Sequence, residues 1–280
     1  MLAQSKDTHI DIEKIQISMI RQESTAQRAS RMCSLSQTTR QLSRRALKRA
    51  NPTLSERKLD ILFVSYLYGS ELADRLSHYL NEIKGAMKKV KITAAVEPVA
   101  KVFEQLGILY YIGGSVASSV YGMPRATQDV DMVTNLKLEH VHFLLEQLQS
   151  AYYIDEDMIK EAISFSSCFN LIHLDTMIKV DIFISKDEPY HRTSLQRRRK
   201  DTLEEDESLK FYVVSPEDII LNKLDWFRLG GHVSEQQWRD IQGVLKIQKD
   251  SLDMEYLFRW AKELRLDDLL KQALREAGIF

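Results

Sequence analysis

The chain has 280 residues, 44% of them hydrophobic and 28% charged, with a net charge of −1. That length suits two domains, or one with helical additions, and the apolar fraction is enough to bury a sizeable core. Two distant cysteines, Cys33 and Cys168, exclude a disulfide framework and a CxxC metal site. The longest apolar run, Ile61 to Leu67, is interrupted by Ser65. It falls well short of the roughly 18 apolar residues of a membrane helix, so no membrane partner is expected. The polar start MLAQSKDTHIDIEK has no apolar stretch of the kind a signal peptide needs, and a reducing cytoplasm is the expected location.

Charge is unevenly spread. Residues 1–90 carry 16 Lys+Arg against 9 Asp+Glu; from totals of 39 and 40, the remainder carries 23 against 31. Such asymmetry fits a polyanionic partner, attraction between the two halves, or a solvated helix face.

Residues 1–90 read as helical. Capping-box spacings occur at Ser24/Gln27 and Thr53/Glu56, the second just after Asn51-Pro52. They predict helices over about 25–49, 54–67 and 70–84. Arg44, Arg45, Lys48 and Arg49 cluster on the first, as a phosphate grip or as a solvated helix end complementing the helix dipole. Residues 86–93 read as a linker. Helix is then expected over 96–106, strand over 109–112, helix over 115–121, strand over 130–133 and helix over 138–149. Strands recur at 169–174, 179–184 and 211–214. From Ser215 the chain is helical again, with Pro216 at the first helical position and Ser234 capping a second helix. The pattern predicts an α+β fold: an N-terminal helical domain over 1–88, a small mixed β-sheet core over 92–205 and a C-terminal helical subdomain over 206–280.

Three pieces carry the chemistry. Gly113-Gly114-Ser115 follows a strand and opens a helix, where glycine lets backbone approach a ligand and N-terminal amides favour anions. Asp129 and Asp131 are two apart on a strand, so both point to one face, about 7 Å apart. Like charges at that distance repel unless a cation lies between them, and oxygen ligands suit magnesium. Asp181 sits in the apolar run Lys179-Val180-Asp181-Ile182-Phe183-Ile184, where a carboxylate needs a partner: a metal, or a salt bridge with Lys179.

In this order and context the pieces resemble the DNA polymerase beta-like nucleotidyltransferase superfamily, carried by Tyr111 to Val133, YIGGSVASSVYGMPRATQDVDMV. Within it the chain looks most like the bacterial group that includes the AbiEii-type abortive-infection toxins, over about residues 92–245. The resemblance implies a nucleotidyltransferase core, in which Gly113, Gly114 and Ser115 hold the triphosphate of an NTP. It implies that Asp129, Asp131 and Asp181 bind two Mg2+ (or Mn2+) ions, and that Asp181 helps to activate the attacking hydroxyl. Arg125 and Thr127 are placed to contact phosphate, Arg125 being equally suited to a structural pair with a carboxylate. Lys223 matches the group's helical lysine and Asp240 its later aspartate. The implied reaction moves a nucleoside monophosphate to a hydroxyl of tRNA or protein, in a toxin–antitoxin or phage-defence setting with a cognate toxin or antitoxin partner. The alternative is a non-catalytic module that binds a protein or nucleic acid.

The chain also departs from the pattern. Gly122-Met123-Pro124 lengthens the spacing between Ser115 and Asp129 relative to minimal nucleotidyltransferases. Phe227 and Val233 stand where the group has a hydroxyl and an arginine, leaving Arg228 or Arg239 as substitutes. Trp226, Phe227 and Trp238 read as helix-packing core. Arg197 to Lys200, with the acidic run after it, reads as a solvated loop or as a basic lip for nucleic acid. Asn170 and His173 are candidates to line the cleft.

Overall fold

Local signals account for most of the helix starts. The computed structural model describes residues 8–82, 92–203 and 209–279. Ser24 and Gln27 form the expected capping box: Gln27 N donates to Ser24 Oγ at 3.2 Å, and Ser24 N to Gln27 Oε1 at 2.8 Å. It opens α2 (Thr25–Ala50). The preceding α1 (Ile10–Gln22) lies in the stretch read as helical, without a capping-box start of its own: its cap is His9, and it buries only Glu13, Ile17 and Ile20. After Asn51 the cap is Ser55 rather than Thr53; its hydroxyl accepts from Lys58 N and starts α3 (Glu56–Tyr68). Then comes α4 (Ser70–Glu82). The linker read at 86–93 lies outside the described residues up to Lys91, and Ile92 already belongs to α5 (Ile92–Gln105).

The sheet region then runs β1 (Tyr110–Ile112), α6 (Gly114–Tyr121), β2 (Asp129–Thr134), α7 (Val141–Leu148), β3 (Tyr152–Tyr153), α8 (Glu156–Phe165), β4 (Cys168–His173) and β5 (Ile178–Ile184). It continues through α9 (Pro189–Arg197), β6 (Arg199–Thr202) and β7 (Lys210–Val213). The chain ends in α10 (Pro216–Leu229), α11 (Glu235–Gln248), α12 (Met254–Glu263) and α13 (Asp267–Ala277). Ser215 and Ser234 cap α10 and α11 as expected.

Among the described residues the strands form one mixed sheet, ordered β3-β4-β5-β2-β1-β7-β6. The β2–β5 and β1–β7 pairs are parallel and the other neighbours antiparallel. The fold is α+β, with helical regions before and after the sheet. Residues directly opposite on paired strands share a face. One face, bearing the fully buried Val130, Met132, Val180 and Ile182, packs against α5. The other carries Asp129, Asp131, Lys179, Asp181 and Phe183.

The N-terminal helices pack on this sheet region. Ala29 and Met32 of α2 lie in the same hydrophobic core as the strands. Residues 28, 32, 36 and 40 form a buried stripe on α2, but three of them are polar, Arg28, Ser36 and Arg40. Arg28 is satisfied by the carbonyls of Val120, Ile20 and Glu23. Glu13 of α1 meets Lys246 of α11 in a buried pair at 2.7 Å. Helices α3 and α4 build a second cluster with Tyr153, Ile172 and Met177.

Two charge runs are used in packing. Arg44 pairs with Asp60 and Glu56, and Lys48 with Glu56, so α3 neutralises part of the basic cluster on α2. Arg197 to Lys200 is not a loop. It ends α9 and begins the edge strand β6, because Glu217, 1% exposed, draws in Arg197 at 3.1 Å while Arg198 stacks over Tyr212.

Candidate active site

The register of β2 and β5 sets the site. Asp131 is directly opposite Asp181, and Asp129 opposite Lys179. On the next strand Asn170 is opposite Asp181. One row thus presents Asp131, Asp181 and Asn170 on a single face, with Asp129 and Lys179 in the adjacent row.

Each carboxylate has a present partner. Lys179 Nζ bonds Asp181 Oδ2 at 2.7 Å and lies 5.4 Å from the centre of the Tyr68 ring. The expected salt bridge therefore exists, on the same face as the other carboxylates. Thr127 Oγ1 donates to Asp129, at 3.2 Å from its carboxylate. Asp131 accepts from the backbone N–H of Ser115, at the start of α6. Burial, then the charges of Asp129 and Asp181, pushes Asp131 up to about 6. Asp181 is also raised by burial, with Lys179 pulling the other way.

Glycine is required at one position of the turn. Gly114 has φ +51°, and a Cβ there would stand 1.6 Å from Asp131 Oδ2. A Cβ on Gly113 would meet only the Tyr111 ring, at 3.6 Å. The backbone of α6 therefore approaches Asp131 through Gly114, while Gly113 N anchors the turn on Asp131 O at 2.9 Å.

A second polar group joins α10 and α11 to this turn. Arg125 holds Asp240 through Nε and Nη2, both at 2.9 Å, and Nη2 also reaches Ser115 Oγ at 2.6 Å. Lys223 Nζ bonds Asp240 at 2.8 Å and Gln237 Oε1 at 2.8 Å. Lys223 is 4% exposed, not the surface lysine that Asp218 or Asp225 would hold. Burial lowers its pKa, opposed by Asp240. Burial acts to raise Asp240, but Arg125 and Lys223 outweigh it and hold the carboxylate below its ordinary value. Arg125 takes the structural pairing and stays within reach of Ser115. Arg228 bonds Asp225 and Leu264 O, while Arg239 pairs with Glu235 and lines a cavity with Arg125 and Asp240.

The remaining candidates divide. Asn170 is on the cleft face, and its buried Oδ1 has no hydrogen-bond partner. His173 bonds Thr176 and stacks on Tyr152, away from the cleft. Phe227 and Trp238 pack together between α10 and α11, ring centres 4.9 Å apart, both half-buried rather than in the core. Trp226 is 56% exposed. Sequence reasoning missed Arg40 and Tyr68. The Arg40 guanidinium donates to the carbonyls of Gln128, Thr176 and Met177, and Tyr68 OH donates to Gln128 O at 2.7 Å. They tie together the leading ends of β2 and β5, and no local sequence signal marks them.

Among the described residues no three His, Cys, Asp or Glu side chains stand close enough together to hold a metal ion as placed. The fit to a hard divalent cation is nonetheless good. The face offers oxygen donors, Asp131 is held up by burial and by its carboxylate neighbours, and Asn170 Oδ1 is orphaned beside them. No described helix is long and apolar enough to cross a membrane.

The architecture is an α+β fold with a carboxylate row facing a Gly-Ser helix start. No protein-family model and no curated protein sequence matches the chain. Among solved structures it is similar to an antigenic nucleotidyltransferase-like protein from Paracoccidioides brasiliensis, at 20% identity and a TM-score of 0.46. That similarity covers 66% of this chain and 90% of the other.

Proposed function

We propose that the chain is a metal-dependent nucleotidyltransferase of the AbiEii-like type. It transfers a nucleoside monophosphate from an NTP to a hydroxyl of tRNA or protein and releases pyrophosphate. The observation that carries this reading is the placement of Asp131 opposite Asp181 on parallel strands, with Asp129 on the same face and the Gly114-Ser115 helix start against Asp131.

Asp129, Asp131 and Asp181 would hold Mg2+ or Mn2+. Such an ion, when bound, stabilises charge on the attacking and leaving oxygens of an in-line displacement. The N-terminal amides of α6 and the Ser115 hydroxyl cradle phosphate oxygens. Gly114, without a Cβ, lets this helix start lie against the Asp131 carboxylate. Arg125 and Lys223 add positive charge beside the cradle, and Asp240 fixes both cations in place. Asp181 receives the proton of the attacking hydroxyl once Lys179 turns aside. A toxin–antitoxin or phage-defence role with a cognate partner belongs to the same reading.

A second reading, a non-catalytic module for a protein or nucleic acid, is favoured by the Lys179–Asp181 bond, which puts a built-in cation where a metal would bind. Incubation with each α-labelled NTP, magnesium, and total tRNA or cell lysate separates the two. Label transferred to an acceptor supports the transferase. Saturable NTP binding with no transferred label supports the module.

A further inference from the structure

Phe183 follows Asp181 by two residues on β5, so both side chains leave the same face of the sheet, about 7 Å apart along the strand. Beyond the carboxylate row, the next row on that face is Val133, Phe183 and Cys168. The cleft therefore changes from charged to apolar within one step along the strands.

Trp226 stands over the apolar end. Its ring meets Phe183 edge to face, with centres 6.1 Å apart and planes at 71°. This geometry is favourable for aromatic pairs and leaves a broad indole surface in solvent. Its sequence neighbour Phe227 packs on Trp238, so helix packing does not require an aromatic at 226. Trp226 is also one turn beyond Lys223 on α10, about 5 Å further along the axis. Lys223 in turn bonds Asp240, which Arg125 links to Ser115 at the start of α6. A single helix thus carries a buried lysine tied to the α6 turn and an open indole beside Phe183.

We infer that Phe183 and Trp226 form a stacking platform for the nucleobase of the bound NTP; this rests on the transferase reading above. A nucleotide whose phosphates lie against Gly114, Ser115 and the carboxylates places its base one ribose away, on the apolar side of the cleft. Val133 and Cys168, which flank Phe183, offer no paired donor and acceptor to read a base edge. Recognition is by ring surface, which every base has. The platform accepts all four NTPs with modest discrimination, purines binding somewhat tighter through their larger rings.

The test compares two probes on one protein by calorimetry, with magnesium and without acceptor: each NTP, and inorganic tripolyphosphate, which has the phosphates and no base. Trp226→Ala is expected to weaken NTP binding about 10- to 100-fold and to leave tripolyphosphate affinity within about two-fold. Trp226→Phe is expected to recover most of the loss. Equal weakening of both probes, or no weakening of either, overturns the platform. So does a wild type that binds NTP no tighter than tripolyphosphate. A wild type that binds neither probe overturns the transferase reading, and the platform with it.

Discussion

Asp131 of β2 and Asp181 of β5 are paired residues on adjacent parallel strands, so their carboxylates project side by side from one face of the sheet. Two carboxyls in that relation, Asp181 buried and Asp131 half-buried, cannot both ionise cheaply without a cation. The protein meets this in two ways: Lys179 neutralises Asp181, and the start of α6 accommodates Asp131.

The first prediction concerns pH. Asp131 is raised from 3.8 to about 6. Its protonated form is favoured by folding, a contribution complete below pH 3.8 and lost as pH rises through about 6. Metal-free protein should therefore lose stability across that window, and Asp131→Asn should lose less. Above pH 6 the variant should melt a few degrees higher, at roughly 2–4 °C per kcal/mol. Thermal melts in chelator at pH 5 and pH 7.5 check this, and a variant less stable at both values would refute it.

Lys179 competes with any divalent cation for Asp181. Lys179→Met should lower the metal-free melting temperature, because it leaves Asp181 buried beside Asp129 and Asp131 with no counter-charge. It should also enlarge the melting shift produced by magnesium, by on the order of several °C. An unchanged magnesium shift would mean that Asp181 lies outside the metal site.

The two glycines should respond differently to the same change. Gly114→Ala brings a Cβ into the Asp131 carboxylate and strains a positive φ, so transfer should fall about 100-fold or more. Gly113→Ala makes an ordinary contact with Tyr111 and should retain most activity. Equal behaviour of the two would remove the close approach of α6 to Asp131 from the mechanism.

Much of this site was legible because strand and turn chemistry are local. The two-residue period placed Asp129 and Asp131 on one face, and a Gly-Gly-Ser after a strand marked the start of α6. The β2–β5 pairing that sets Asp131 against Asp181 is non-local and follows only from the family resemblance. The start of helix α1 was not marked because a histidine caps it, and β6 was missed because its cations read as a solvated run. Trp226 was read as core because an aromatic on an amphipathic helix usually is. Arg40 was invisible because the three carbonyls it binds are more than 80 residues away.

That last residue carries a prediction about the N-terminal half. Arg40 is 4% exposed and joins the ends of β2 and β5 through three carbonyls. Arg40→Ala should cost about 3 kcal/mol, since it leaves buried acceptors unpaired. Arg40→Lys should restore little, because an ammonium cannot span the same acceptors as a planar guanidinium. Urea midpoints of the three proteins measure this. If the alanine variant unfolds like wild type, Arg40 does not hold the ends of β2 and β5 together.

The most direct test of the central claim is pyrophosphate release from NTPs by wild type, Asp129→Asn and Asp131→Asn, with magnesium and with total tRNA or lysate as acceptor. Wild type is expected to release pyrophosphate, chelation to stop it, and each variant to lower it by about 100-fold or more, with all three proteins equally folded. Near-normal release by either variant at saturating magnesium would contradict it.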